Sequence, residues 1–355
     1  MTLTALLISI FMVVGLLGNA ITIVALLRCP RVRNVTTVFI VSLCVADFSF
    51  CLLVLPFEIY RFSHGAWLLG DGFICVLFPL LRYWNVGCSL LSIAMITVNR
   101  FVMIAFNEAY SRIYQKRWVA VQIAFIWLYS FGMLLPTLAG RWGRFGYHAR
   151  LMTCTIVRVD GRSSKIALFV IGFVIPCVAI CICYAGILAV VVSSNRRVRR
   201  HSSRETSQQK KSRQERRKKS EMRITKMSLA VFLTFVVCYL PITLAKVKDP
   251  TVRYPGVHIL GYILVYLSAC INPIIYVTMS KQYRQAYKTV LFCRRPRLFS
   301  ESSSQSREGQ PKGSAVASKT LMSQVSMTES EWRASPGPRL NELPEVFPES
   351  AESRM

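Results

Sequence analysis

Long apolar blocks separated by shorter polar segments run along most of the chain. Seven blocks hold enough consecutive apolar residues to cross a bilayer as a helix, which needs about 20 residues. They lie at about residues 3–27, 37–60, 73–105, 118–138, 166–193, 224–246 and 257–279. Because the apolar residues within a block do not alternate with polar ones, the pattern excludes a transmembrane β-barrel. The sequence therefore predicts an all-α membrane protein, a bundle of seven transmembrane helices.

The composition agrees with this pattern, and the charge distribution gives it a direction. Apolar residues make up 53% of the chain and charged residues 17%, yet the net charge is +27. Such a charge is also typical of nucleic-acid binding, but 25 Lys and Arg residues fall on one side of the predicted bundle and ten on the other. By the positive-inside rule, the N-terminus lies outside and the C-terminus in the cytoplasm. We therefore predict a multi-pass plasma-membrane protein in contact with lipid, with no nucleic-acid partner.

The polar segments divide the chain into a bundle and a tail. Residues 1–27 are not predicted to be a cleaved signal peptide, because the apolar run is too long and its arginine follows it. We expect the natural N-terminus to lie upstream of the sequence given. Residues 1–293 form the bundle, with a basic third cytoplasmic loop at about 195–223 and, near the end, a short amphipathic eighth helix. Residues 294–355 are rich in Ser, Glu and Pro, which predicts a disordered cytoplasmic tail.

The cysteines suggest one covalent link and one lipid anchor. Of the twelve, only Cys75 and Cys154 fall at the outer surface in this topology, so we predict a disulfide between the top of the third helix and the second outer loop. Cys293 directly follows the amphipathic segment and is a candidate for lipidation.

Among the charged side chains inside the apolar blocks, three stand out. Arg82 and Arg100 are separated by about 27 Å along the third block, at 1.5 Å rise per residue, so each is expected near an opposite face of the membrane. Asp47 lies near the centre of the second block. Because a charge inside a bilayer costs about 2.5–3.5 kcal/mol on insertion scales, each is a candidate functional residue. For the two arginines, the alternative is that they extend to the membrane interface.

Proline stands inside each of the last three blocks. Pro176, Pro241 and Pro273 each remove a backbone hydrogen bond and kink a helix, which makes them candidate hinges or simply structural kinks.

Taken in order, one set of residues per helix resembles the rhodopsin class of G-protein-coupled receptors, over roughly residues 10–293. The residues that carry the resemblance are Gly18-Asn19, Ala46-Asp47, Trp67, Cys75, Asn99-Arg100-Phe101, Trp127, Pro176 with Tyr184, Cys238-Tyr239-Leu240-Pro241 and Asn272-Pro273-Ile274-Ile275-Tyr276. Within the family, stretches such as RNVTTVFIVSLCVADF and GRWGRFGY resemble a subgroup of invertebrate orphan receptors. That subgroup would imply action on cortical actin and barrier junctions in glia.

The resemblance assigns an activation switch on the cytoplasmic side. It implies that Arg100 is held at rest and released to meet a heterotrimeric G protein. The acid that usually precedes this arginine is Asn99 here, and Phe101 replaces the following tyrosine, so we expect Glu221 to reach Arg100 from the sixth helix. A weaker resting lock and measurable basal signalling are therefore predicted. The remaining implied switch and hinge positions are Tyr184, Asn272, Pro273, Tyr276, Tyr239, Pro241 and Pro176.

The resemblance also implies further ligands and partners. Asp47 with Ser89 would form part of an internal site for sodium as an allosteric ligand, although Ser268 and Ala269 stand where the family commonly has an asparagine and a serine. Arrestin and a receptor kinase are expected at the serine-rich tail, whose candidate phosphorylation sites are Ser300, Ser302, Ser303, Ser304 and Ser306.

Arg82 is the candidate ligand-binding residue. An arginine near the outer face would repel amines and could bind a carboxylate or phosphate, so an anionic extracellular ligand is predicted. The alternative is that Arg82 caps a helix end or pairs with Glu58. A transporter, or a receptor-like protein that does not signal, is the competing class. We identify no catalytic residues and no metal cluster in the sequence, and an enzyme is not predicted. Retinal binding is not expected, because Tyr266 stands where a lysine would be needed.

Overall fold

The computed structural model of the chain describes residues 2–200, 208–249 and 251–292. Its secondary structure is almost entirely helical. The α-helices are α1 Thr2–Arg28, α2 Val35–Leu53, α3 Leu55–His64, α4 Phe73–Ala105, α5 Asn107–Ile113, α6 Lys116–Gly132, α7 Leu135–Leu138, α8 Lys165–Phe169, α9 Ile175–Arg200, α10 Gln208–Lys248, α11 Pro255–Met279 and α12 Lys281–Leu291. A π-helical turn, Val170–Val174, joins α8 to α9.

Seven helical segments in the described part are long and apolar enough to cross a membrane. We number them span 1 Thr2–Arg28, span 2 Val35–His64, span 3 Phe73–Ala105, span 4 Lys116–Leu138, span 5 Lys165–Ser193, span 6 Glu221–Lys248 and span 7 Pro255–Met279. The predicted all-α fold of seven transmembrane helices is confirmed, and each boundary lies within four residues of the apolar blocks.

Span 2 is broken in the middle, which the apolar pattern did not predict. Helix α2 ends at Leu53 and α3 begins at Leu55, with Val54 between them. Pro56 lies in the first turn of α3, where its missing N–H leaves no helix hydrogen bond unmade. The break redirects the outer part of the span, and Glu58 on α3 is fully buried.

A β-hairpin covers the outer mouth of the bundle. Strands β1 Arg144–His148 and β2 Thr153–Val157 pair antiparallel, and the predicted disulfide joins Cys154 on β2 to Cys75 at the start of span 3. At the turn of the hairpin, Arg150 donates from Nη1 to the carbonyl of Thr251 at 2.7 Å. The second outer loop is therefore tied both to span 3 and to the loop between spans 6 and 7.

The loop between spans 6 and 7 is organised around the carboxylate of Asp249. Asp249 accepts hydrogen bonds from the backbone N–H groups of Arg253 and Tyr254, at 2.7 and 2.9 Å, and from the ring of His258 at 3.3 Å. The two backbone donors hold the pKa of Asp249 below its ordinary value, so the carboxylate is ionised at neutral pH.

The predicted amphipathic eighth helix is α12. Ser280 caps its N-terminus, and its buried face consists of Tyr283, Ala286 and Tyr287. The Tyr287 hydroxyl bonds to Thr22 of span 1. Burial raises the pKa of Tyr283 to about 12, so this ring stays uncharged against the bundle. The lipidation candidate Cys293, the tail serines and residues 294–355 lie outside the described residues.

The predicted third cytoplasmic loop is largely helical where the structure describes it. Helix α9 continues to Arg200 and α10 begins at Gln208, well before the membrane part of span 6. In the described part of the segment about 195–223, the chain therefore consists of helical extensions of spans 5 and 6.

Candidate functional site

Arg100 lies at the end of span 3 that is predicted to be cytoplasmic, in contact with span 6. Its side chain is 2% exposed, and its Nη2 lies 2.5 Å from Oε2 of Glu221 and 2.8 Å from the Glu221 carbonyl. Its Nε donates to the hydroxyl of Thr225 at 3.3 Å. Spans 3 and 6 are thus joined by a charge-assisted pair and a hydrogen bond, and the structure places Glu221 beside Arg100.

The neighbours of Arg100 in sequence point elsewhere. Asn99 accepts from the hydroxyl of Thr36 at 2.7 Å and donates to that of Tyr110 at 3.2 Å, which ties span 3 to span 2 and to α5. Phe101 packs edge to face on Phe106, with ring centroids 5.6 Å apart. Neither side chain supplies a negative charge, so the opposing charge for Arg100 comes from span 6.

Asp47 joins spans 2, 3 and 7 at the centre of the bundle. Its Oδ1 accepts from the hydroxyl of Ser89 at 2.9 Å, and its Oδ2 accepts from Nδ2 of Asn272 at 2.8 Å. Ser268 faces the same point, but its hydroxyl donates to the carbonyl of Val265 at 2.7 Å. The buried carboxylate is therefore satisfied by protein donors.

This arrangement fits a sodium ion poorly. Donors already occupy both oxygens of Asp47, and the gap between it and Ser268 has no free volume large enough for a water molecule. Sodium as an allosteric ligand stays a prediction.

The other predicted switch residues line the contacts between helices. Pro273 packs against span 1, where a Cβ on Gly18 would lie 3.0 Å from the proline ring, and Asn19 donates to the Ala269 carbonyl at 2.9 Å. Tyr276 is buried, with its ring 5.7 Å from that of Tyr283 on α12. These contacts bring spans 1 and 7 close together.

Spans 5 and 6 meet through aromatic rings. Tyr184 stacks on Phe232 at 6.4 Å. Tyr239, at the predicted hinge, stacks on Phe235 with centroids 4.0 Å apart, and Pro241 lies two residues further along the same helix. Pro176 stands at the start of α9, just after the π-helical turn. Two of the predicted hinge positions, Tyr239 and Pro241, therefore lie on span 6, and the third, Pro176, lies on span 5.

A cavity of about 530 Å³ opens below the hairpin, among spans 3 to 7. Its floor includes Tyr239, and its wall includes Phe169 and Phe173 of span 5. The volume falls in the range of about 300–1,000 Å³ that is typical of small-molecule sites. This cavity is the candidate ligand site.

Arg82 lines the cavity, but it is already paired with a carboxylate. Its Nη1 lies 3.0 Å from Oε1 of Glu58, and its Nη2 donates to the carbonyl of Cys154 at 3.3 Å. Glu58 also pairs with Arg61, Oε2 to Nη2, at 2.7 Å. The structure therefore shows the alternative, pairing with Glu58, and the binding of an anion at Arg82 stays a prediction.

Two lysines that line the cavity were not predicted as site residues, because their positions in the sequence indicated only that they belong to the ten outer charges. Lys246 of span 6 donates from Nζ to the Tyr83 hydroxyl at 3.3 Å, and Lys165 of span 5 lines the same wall. Burial and the charge of Lys165 lower the pKa of the neighbouring His148, which is uncharged at neutral pH. The sequence did hold a signal for these two residues, since each lies at the end of a predicted transmembrane helix that faces outward.

Comparison with known proteins gives concordant results. The model of the 7 transmembrane receptor (rhodopsin family) matches residues 18–276. G-protein coupled receptor moody of Drosophila melanogaster is 47% identical, over 84% of this chain and 52% of its own length. Protein trapped in endoderm-1 of the same organism is 38% identical, over 78% of this chain and 74% of its own length. The human melatonin receptor type 1B is 28% identical, over 78% of this chain and 75% of its own length.

Among solved structures, squid rhodopsin has a similar fold. The TM-score is 0.72 at 24% sequence identity, covering 82% of this chain and 86% of the squid chain. At this identity the likeness concerns the fold alone. The chain spans about half the length of the moody receptors that it matches.

Proposed function

The chain belongs to the rhodopsin family of seven-transmembrane receptors, and from this premise we propose that it passes an extracellular signal to heterotrimeric G proteins. The similarity to a relative named as a G-protein coupled receptor supports this proposal. The N-terminus is proposed to lie outside the cell and the C-terminus inside, because 25 Lys and Arg residues fall on one side against ten on the other.

The single observation that carries the proposal is the contact between Arg100 and Glu221. A buried guanidinium at the cytoplasmic end of span 3 is bound by a carboxylate of span 6 that is itself 34% exposed. Separation of the two spans would break this pair and uncover the arginine on the cytoplasmic face. The pair thus links helix movement to exposure of a charged surface, which a G protein can bind.

The cavity supplies the outer half of the mechanism. Tyr239 forms part of its lining and stacks on Phe235 in the region of Pro241. A ligand that contacts Tyr239 would bias span 6 at its proline, and the cytoplasmic part of the same helix carries Glu221. Binding can shift such an equilibrium only if the ligand prefers one of the two arrangements.

Arrestin and a receptor kinase are proposed as further partners. The proposal is supported by the five serines between 300 and 306, which lie outside the described residues. The role in glial barriers stays a prediction of the resemblance.

The test is G-protein activation in cells, measured for each Gα class with wild type and Arg100→Ala at matched surface expression. We expect a basal signal through one class that the substitution abolishes. Basal output equal to that of mock-transfected cells, with no response to any ligand, would contradict the proposal.

A further inference from the structure

We propose that the outer cavity binds an amphiphilic anion, with its acid group at Lys246 and Lys165 and its apolar chain between spans 4 and 5. The inference rests on the proposed receptor function and names the class of ligand. A carboxylate and a phosphate share the required chemistry.

Among the described residues, the two lysines line the cavity without a carboxylate partner, as does the exposed Arg158 that follows β2. Neither lysine forms an ion pair with an Asp or Glu in the described part of the chain, and the described lining contains no acidic residue. The contacts of Lys246 are with tyrosine side chains. Its Nζ donates to the Tyr83 hydroxyl at 3.3 Å and lies 5.1 and 5.2 Å from the ring centroids of Tyr83 and Tyr262. A desolvated ammonium without a counter-charge is costly, so an anion would be stabilised there.

Arg82 supports this assignment by contrast. Its guanidinium is bound by Glu58 and the Cys154 carbonyl, so it is less available to a ligand than the two lysines. Arg82, Lys165 and Lys246 all line the cavity, and no acidic residue is among the described lining. Cationic ligands are therefore disfavoured at this end.

Away from the lysines, the wall is apolar. Met133 and Leu134 come from the end of span 4, and Phe169, Gly172 and Phe173 come from span 5. The π-helical turn Val170–Val174 contains Gly172 and Phe173. A small hydrophilic anion would leave this surface without a partner, whereas an alkyl chain would cover it.

The cavity also extends towards the lipid. Ile166 lines it and is 67% exposed, on the outward part of a membrane span. A ligand with an alkyl chain, which partitions into the bilayer, could therefore reach the cavity from the side of span 5.

The apolar wall continues into the predicted hinge. The rings of Phe169 and Phe173 stack at 5.9 Å, those of Phe173 and Phe235 at 6.4 Å, and those of Phe235 and Tyr239 at 4.0 Å. An alkyl chain lying on Phe173 would contact the start of this stack.

The test measures binding directly, without a G protein. The full chain is purified in nanodiscs of neutral phosphatidylcholine, and saturable binding of radiolabelled dodecanoate is competed with unlabelled probes. We expect competition by dodecanoate and dodecyl phosphate but not by dodecan-1-ol or dodecyltrimethylammonium, and weaker competition by butanoate. The ratio between the two anions separates a carboxylate ligand from a phosphate ligand.

Matched variants locate the site. Lys246→Gln is expected to weaken dodecanoate binding about tenfold or more, as for loss of a charge-assisted hydrogen bond. Lys246→Arg should retain binding, and Lys248→Gln, two residues on and outside the cavity lining, should leave it unchanged. Gly172→Phe should exclude dodecanoate, because a Cβ there already meets Met133 at 3.5 Å, whereas Gly132→Phe, with open space around its Cβ, should not.

Any of three results would overturn the inference. The first is equal competition by dodecan-1-ol, and the second is unchanged dodecanoate affinity in Lys246→Gln. The third is a lack of saturable binding by wild-type protein that shows a normal thermal unfolding transition. These results leave the G-protein proposal standing if basal activation is present. Saturable binding without any G-protein activation would instead refute the receptor function and retain the site.

Discussion

At the scale of single residues, Arg100 is paired with a carboxylate 121 positions away in the chain. Asn99, its immediate neighbour, bonds to Thr36 and Tyr110 instead. The ion pair of Arg100 therefore lies between spans 3 and 6, and it is lost when those spans separate. A carboxylate on span 3 itself would remain beside the arginine during such a movement.

This geometry predicts the effect of Glu221→Gln. The amide can still accept a hydrogen bond from Arg100 but carries no charge. Because Glu221 is 34% exposed, the screened pair contributes about 1 kcal/mol, and its loss should shift the ratio of open to closed states about fivefold. We expect higher basal G-protein activation, measured at equal surface expression.

Thr225→Val is the graded control for this prediction. It removes the 3.3 Å hydrogen bond from Arg100 Nε and the 3.1 Å bond that the hydroxyl donates to the Glu221 carbonyl, and it leaves the ion pair. Basal activation should rise less than in Glu221→Gln. Equal basal output in Glu221→Gln and wild type would show that the ion pair does not restrain the receptor.

At the scale of elements, the hairpin and the broken span 2 shape the outer cavity. The hairpin is held by the Cys75–Cys154 disulfide and by hydrogen bonds from Arg61 to Leu151 and from Arg82 to Cys154. The break at Val54 places Glu58 between both arginines. The hairpin and the outer part of span 2 are linked, because Arg61 and Arg82 pair with Glu58 on span 2 and also donate to carbonyls of the hairpin.

Cys154→Ser should therefore loosen the roof of the cavity. Loss of a disulfide typically costs about 2–4 kcal/mol, so we expect a lower unfolding temperature of the purified protein. The double variant Cys75→Ser/Cys154→Ser should match the single one, since both lack the same bond. Cys181→Ser changes a free, exposed cysteine and serves as control; an equal unfolding temperature in Cys154→Ser and Cys181→Ser would contradict the prediction.

At the scale of the whole molecule, basic residues collect at one end of the bundle. This asymmetry predicts the orientation, because cytoplasmic loops carry the excess of Lys and Arg. With one epitope tag at each terminus, antibodies should label only the N-terminal tag on intact cells and both tags after permeabilisation. Labelling of the C-terminal tag on intact cells would reverse the proposed topology.

The sequence alone determined the seven spans, the amphipathic α12 and the disulfide. Bilayer thickness sets the length of an apolar block, and only two cysteines fall on the outer side, so local composition suffices for these features. The partner of Arg100 could also be suggested from the position of Glu221 before Pro241. Such features depend on helix length and on order along the chain.

Only the tertiary structure decided which charges of the outer cavity are paired. Arg82 and Arg61 share the single carboxylate of Glu58, whereas Lys246 and Lys165 have no carboxylate beside them in the described part of the chain. The sequence gives no sign of this difference, because it depends on the kink in span 2 and on the rotation of each helix about its own axis. Pairing between buried charges is a matter of a few ångströms, which apolar pattern and spacing do not specify.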